Sequence, residues 1–376
     1  MADSRLFKPL NIGPLHLHHR IAMAPMTRRR ATPDRTPTTL MKEYYSQRAS
    51  VPGSLLVTEG TLISSAAAGG FANAPGLWRA DQITAWKEIT DEVHRKGCFI
   101  YVQLFGMGRA ADQDVAESEG IEIVGPSAIP IPAAEKPDAP VPRAMTITEI
   151  KQTIVDFVTA SRNAVAAGFD GVEIHGANGY LLDQFLQDTS NQRDDEYGGS
   201  VENRSRLMLE VLEAVVDAIG SDRVGMRLSP WSLFQGMRMK DPVPQFGDLI
   251  HKANRLNLAY LSLVESRIYG PGEYEGEVDV ASETLDFAYE RWNGPILVAG
   301  GYDLASAQKL VDEKYPEKDI VVLFGRNFVS NPDLPYRLKE GVALTKYNRS
   351  TFYSNTSAVG YVDYPFSKSY SLELRA

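Results

Sequence analysis

A single cysteine, Cys98, stands among 376 residues. It excludes an intrachain disulfide and any metal site built from several thiolates, and its setting in GCFIYVQL is that of a buried strand. Histidine is almost as scarce, at six. Three of these, His16, His18 and His19, fall together in the N-terminal segment, so no ligand set for a metal forms and none is expected. Positive charge is short as well, the formal net charge being −9. Such a chain repels phosphate backbones, and the run Arg28-Arg29-Arg30 is too brief to reverse that, so no nucleic-acid partner is expected. The run itself reads as a solvated charge cluster, with contact to the phosphate of a ligand as the alternative. No stretch approaches the roughly 18–20 apolar residues of a membrane span, and the first residues lack the apolar core of a signal peptide. The expectation is a cytoplasmic protein without a membrane partner, a monomer or homodimer. No G-x-G-x-x-G unit is present either, which removes the usual dinucleotide cradle.

What is present is enough apolar material for a large core, 43% of the chain, arranged in a repeating order. Short β-rich runs occur at 21–24, 54–59, 98–104, 171–175, 223–228, 259–264, 295–300 and 320–325. Helix-favouring segments lie between and after them, at 38–49, 81–96, 147–167, 201–219, 244–255, 282–292, 303–313 and 333–340. Apolar strands alternating with helices eight times predict a (β/α)8 TIM barrel over residues 1–376 as one domain. Thr148 with Glu149 marks the start of one helix and Ser200 is the expected N-cap of another. The stretch 105–146 departs from this compact pattern. Pro126, Pro130, Pro132, Pro137, Pro140 and Pro142 forbid a continuous helix there, leaving a long connection after the third strand that is expected to cap one mouth of the barrel.

Barrel enzymes build their sites where strands end. Here the ends carry Pro25-Met26-Thr27, Glu59-Gly60, Gln103, His175 with Asn178, Arg227, Val264-Glu265, Gly300-Gly301 and Gly325-Arg326. Glycines after the seventh and eighth strands, with one arginine, suit a phosphate approached by backbone N–H groups, although either pair alone is also an ordinary turn. Gln103 and Arg227 near the mouth need polar partners. Glu173 offers Arg227 a purely structural one; a planar heteroaromatic ligand is the other reading. The triplet His175, Asn178 and Tyr180 reads in two ways. It is either loop chemistry, or a pair of neutral donors converging on a carbonyl oxygen with a phenol beside them to deliver a proton.

Longer stretches carry a family likeness: IAMAPMTRRRA, LLVTEGT, GGFANAPG, GFDGVEIHGANGYLLDQFLQ, NQRDDEYGGSVENRSR, GMRLSP, VAGGYD and LFGRNFVSNPDLP. Together they resemble the old yellow enzyme family of flavin-dependent ene-reductases from about residue 5 to 366, most closely its fungal members, including those of ergot-type alkaloid pathways. The resemblance implies FMN across the C-terminal mouth of the barrel and NADPH or NADH as reductant. It implies that Pro25, Met26 and Thr27 border the flavin, that the Thr27 hydroxyl tunes its reduction, and that Gly60, Gln103 and Arg227 meet the ring's polar edge. Gly300, Gly301, Gly325 and Arg326 would hold the phosphate. His175 and Asn178 would bind the carbonyl oxygen of an enone or enal, Tyr180 would give the proton, and Phe71, Phe105, Phe352 and Tyr353 would wall the substrate site. Phe105 stands where a tryptophan is frequent in yeast-type members, and Phe71 where a tyrosine is frequent.

The implied activity is NAD(P)H-dependent reduction of an activated C=C bond, the hydride reaching Cβ and the proton Cα. A redox-neutral alkene isomerase would use the same cofactor. A barrel hydrolase working with Glu59 and Glu173 as paired carboxylates, and a non-catalytic flavin-binding protein, are the readings of other classes.

Overall fold

The structure is a computed structural model and describes residues 3–266 and 283–373. Eight strands form the centre: β1 Ile21–Met23, β2 Leu55–Val57, β3 Phe99–Phe105, β4 Gly171–Gly176, β5 Val224–Leu228, β6 Tyr260–Val264, β7 Ile296–Ala299 and β8 Ile320–Phe324. Every neighbouring pair is parallel, and β8 pairs with β1, so the sheet closes into a barrel. Each strand lies within two residues of its predicted place. The helices that match the eight predicted segments are α1 Thr39–Arg48, α2 Ala80–Arg95, α3 Ile147–Ala166, α4 Val201–Ile219, α5 Val243–Ala253, α6 Asp286–Arg291, α7 Leu304–Lys309 and α8 Leu334–Glu340, with shorter ones in the connections. α6 is shorter than the predicted 282–292, whose first residue lies outside the described residues. Beyond α7 the chain continues as a wider turn over Leu310–Lys314.

Strand parity decides what enters the barrel. Leu55, Val57, Tyr101, Tyr260, Leu297, Val321 and Leu323 form one buried cluster inside it, together with Leu10, Ile12, Leu15 and Leu17. The last four belong to an antiparallel hairpin, Leu10–Ile12 with Leu15–Leu17, which plugs the N-terminal end. Its strands are too short to announce themselves by alternation. Two glycines make room for aromatic rings in the interior. A Cβ on Gly171 would stand 2.4 Å from the Tyr101 ring, and one on Gly225 would stand 2.3 Å from the Tyr260 ring. The same parity then carries Gln103, Glu173, His175, Arg227 and Ser262 inward. Register sets Gln103 beside Glu173 and Arg227 beside both His175 and Ser262.

The helix starts follow from capping. Ser200 accepts from the Asn203 N–H as expected, but α3 is capped by Thr146 rather than by Thr148. A capping box requires the hydroxyl three residues before the glutamate, and Thr146 and Glu149 satisfy each other reciprocally. The long connection after β3 holds a short helix, Gln113–Glu119, before its prolines begin. It docks on the loop after β5, where Glu135 accepts from the backbone N–H groups of Gln235 and Gly236, both at 2.7 Å, and Arg109 donates to the Gln235 carbonyl at 2.9 Å. The connection thus braces the C-terminal mouth from the side.

Candidate active site

A cavity of about 500 Å³ opens at the C-terminal ends of the strands. Its wall takes residues from all the strand ends named above: Pro25, Met26 and Thr27 after β1, Gly60 after β2, Gln103 and Phe105 on β3, and His175, Asn178 and Tyr180 on and after β4. Arg227 comes from β5, Gly300 and Gly301 follow β7, Gly325 and Arg326 follow β8, and Phe71, Phe352 and Tyr353 arrive from loops. Every residue that the flavoenzyme resemblance assigns to the site therefore reaches one cavity.

At the inner end, Gln103 Nε2 donates to Glu173 Oε1 at 2.7 Å, and Arg227 Nη1 donates to Ser262 Oγ at 2.9 Å. Glu173 does not bond to Arg227 directly, so the structural pair considered from the sequence is replaced by these two separate contacts. Burial raises the Glu173 carboxyl above its ordinary range, with Arg227 opposing. Arg227 Nε, buried, has no hydrogen-bond partner in the protein. Arg227 lines the cavity, and a guanidinium with an unspent donor there suits an acceptor supplied from outside the chain.

His175 is 3% exposed, and its Nδ1 is likewise without a partner. Burial, with Arg227 beside it, holds its pKa well below the ordinary histidine value, so the ring is neutral at physiological pH. Asn178 sits at φ +57°, a left-handed conformation that asparagine tolerates better than most residues. Its turn is fixed on several sides: its N–H donates to Ser229 Oγ at 2.8 Å, its carbonyl accepts from Gln235 Nε2 at 2.8 Å, and the following Gly179 N–H donates to the buried Asp183 carboxylate at 2.8 Å. Tyr180 then packs with its ring centroid 5.4 Å from His175, 5.2 Å from Phe105 and 6.2 Å from Phe71. Burial pushes its phenol above the ordinary tyrosine value, so it stays protonated at neutral pH.

At the other end of the cavity Gly301 has φ +66°. Gly325 has φ −97° and ψ −92°, and a Cβ there would meet nothing nearer than Met26 Sδ at 3.5 Å. Packing against the protein therefore does not require glycine at Gly325, whereas close approach of a ligand to the backbone does. A flat ring with polar edges fits the orphaned donor of Arg227, and a phosphate fits the Gly301, Gly325 and Arg326 end. The residues present thus fit a flavin mononucleotide.

The arginine run departs from expectation. Arg28 and Arg30 are 1% and 0% exposed, not solvated. Arg28 donates to the Phe352 and Gly360 carbonyls at 3.2 and 2.8 Å, and Arg30 to those of Thr351, Phe352 and Ser357 at 2.9, 2.7 and 3.0 Å. Together they clamp the C-terminal segment that brings Phe352 and Tyr353 to the cavity. Glu59, also buried, accepts from the N–H groups of Arg28 and Arg29 through Oε2 at 2.9 and 3.1 Å. Neither Glu59 nor Glu173 lines the cavity, which overturns the paired-carboxylate hydrolase as a reading. The arginine run was visible in the sequence, but the carbonyls it binds lie more than three hundred residues away. Arg28→Ala leaves the buried Gly360 carbonyl without its Arg28 donor, while Phe352 keeps Arg30, and is expected to destabilise the fold by about 1–3 kcal/mol. Urea titration checks this, with earlier proteolytic cleavage within 351–360; an unchanged midpoint would show the clamp to be dispensable.

Known proteins share this arrangement of sequence and fold. The model of the NADH:flavin oxidoreductase / NADH oxidase family matches residues 5–345. The chain is 52% identical over 376 residues to the chanoclavine-I aldehyde reductase fgaOx3 of Penicillium roqueforti, covering 99% of each. It is 50% identical over 377 residues to the probable inactive dehydrogenase easA of Claviceps purpurea, covering 98% of this chain and 97% of that one. Among solved structures it resembles the Old Yellow Enzyme from Pichia sp. AKU4542 with a TM-score of 0.89 and 40% identity, over 98% of this chain and 95% of that one.

Proposed function

We propose that this chain, which belongs to the NADH:flavin oxidoreductase / NADH oxidase family in its old yellow enzyme branch, reduces the activated C=C bond of α,β-unsaturated aldehydes and ketones. It is an NAD(P)H-dependent flavin oxidoreductase, and its cofactor is FMN. Gln103, Arg227 and Gly60 would hold the polar edge of the flavin ring, Pro25, Met26 and Thr27 would border it, and Gly300, Gly301, Gly325 and Arg326 would take its phosphate. When bound, the flavin supplies the hydride that reaches the substrate's Cβ.

The protein's own share of the reaction is the handling of an oxygen and a proton. His175 and Asn178 donate to the carbonyl oxygen, which gains negative charge as Cβ is reduced, and neutral donors fixed beforehand stabilise that charge without reorganising. Tyr180 gives its proton to Cα, converting the enolate to the saturated carbonyl. Phe71, Phe105 and Phe352 wall the space and limit water, which favours protonation by the placed phenol over random quenching. The observation that carries this reading is the neutral His175 next to Asn178 and a protonated Tyr180 on one cavity wall. A relative named for reduction of an aldehyde supports an aldehyde as one activating group.

The test is product analysis after incubation of the FMN-loaded protein with NADPH and an enal. The expected product has gained two hydrogens across C=C and keeps its aldehyde, as seen by mass and NMR. A product of unchanged mass with a rearranged double bond would replace reduction by redox-neutral isomerisation, and an allylic alcohol would place the chemistry at C=O.

A further inference from the structure

The middle residue of the arginine run behaves unlike its neighbours. Arg28 and Arg30 spend their donors on the C-terminal segment, whereas the guanidinium of Arg29, on the cavity wall, makes no such bond among the described residues. Its guanidinium carbon lies 4.6 Å from the centre of the Phe71 ring and 5.3 Å from that of Tyr353. Aromatic faces hold a guanidinium through its flat side, leaving the in-plane N–H groups available. Among the described residues no carboxylate pairs with Arg29, and its Nε, although buried, has no hydrogen-bond partner. The backbone supports the same reading. Arg29 is held at φ +58°, a left-handed conformation unfavourable for a side chain of this size. The Arg28 and Arg29 N–H groups are anchored to the buried Glu59 carboxylate across this bend. A strained residue fixed by a buried anchor, with a cation held on two rings and donors unspent, is built to present charge to a ligand.

We infer that Arg29 is an anion-recognition point in the wall of the substrate cavity, selecting a carboxylate on the substrate or the 2′-phosphate of NADPH. This rests on the reading that carbonyl and nicotinamide ligands enter this cavity. An anion placed there meets a cation already desolvated on its faces, so less hydration is lost on binding than at a free arginine. Neutral ligands meet the same rings without that contribution.

Calorimetry on the FMN-loaded protein separates the two sources. One arm compares carboxylate-bearing phenols, meta and para, with their methyl esters; the other compares the non-reducing tetrahydro analogues of NADPH and NADH. Each arm is run with the parent, Arg29→Met and Arg29→Lys. In at least one arm the parent is expected to favour the anionic member, and Arg29→Met to shrink that preference about tenfold while moving the neutral member less than twofold. Arg29→Lys should keep part of it, which separates charge from shape. The arm that responds names the source. Preferences unchanged by Arg29→Met in both arms overturn the inference. Failure of the neutral phenol esters to bind the parent at all would instead overturn the carbonyl site, and the two failures are therefore distinguishable. If Arg29→Met loses FMN, Arg29→Lys against the parent decides: a preference that vanishes in both arms despite retained charge overturns the inference, and a preference retained in either supports it.

Discussion

Tyr180→Phe is expected to slow reoxidation of the reduced protein by a simple enone about 10²–10⁴-fold, the usual share of a positioned general acid, while leaving reduction by NADPH close to that of the parent. The change removes one oxygen and keeps the ring. Its contacts with Phe105, Phe71 and His175 are made by the ring itself, so the wall and the flavin site should persist. What disappears is a proton that burial keeps on the phenol at neutral pH. Protonation at Cα traps the enolate, and without it the reduced carbon can return its hydride. Substrates whose carbanion is already stabilised, such as nitroalkenes, should still be consumed and should release a nitronate. Stopped-flow traces of the two half-reactions decide the matter. Equal slowing of both would make Tyr180 a structural residue, and no slowing of either would assign the proton to another group or to water.

Much of this site is legible in the sequence because barrel geometry converts position in a strand into position in space. Gln103, His175 and Arg227 each lie in the last positions of an apolar run, and a period of two then sends all three inward at the same end. What remains hidden depends on contacts with no local periodicity. The cluster Arg28-Arg29-Arg30 looks solvated by composition, yet Arg28 and Arg30 find their acceptors at Thr351, Phe352, Ser357 and Gly360, and burial follows from those carbonyls. Arg29 escapes that fate only because its backbone turns left-handed between them. The hairpin at 10–17 is hidden for another reason: its strands have three residues each, too few for alternation to be read. Glu59 was visible at a strand end and suggested acid–base chemistry, but its two backbone N–H donors make it an anchor.

A phenol stacked on the oxidised flavin is expected to give a broad long-wavelength band, and His175→Ala combined with Asn178→Ala is expected to remove it and to lower kcat/KM for an enone by at least about 10²–10³-fold, the loss typical of a single oxyanion donor. The losses of the two single variants should not add fully in the double variant, since in each single variant the remaining donor still meets the same oxygen. The argument turns on the donors being neutral. Burial and the neighbouring Arg227 keep the His175 pKa well below its ordinary value, so the ring accepts a second proton only far on the acid side. Activity of the parent should therefore show no limb near pH 6.5, where an unperturbed histidine would titrate. Asn178 cannot titrate at all, and its turn is held by Ser229 and Gln235 through its own backbone, bonds that Asn178→Ala keeps at a cost of about 1 kcal/mol for alanine in the left-handed region. The double variant should accordingly still bind FMN and still be reduced by NADPH. A phenol band that persists in it would move the oxygen site elsewhere in the cavity, and an acid limb near 6.5 that disappears with His175 would show the active form to be the neutral ring in competition with a protonated one.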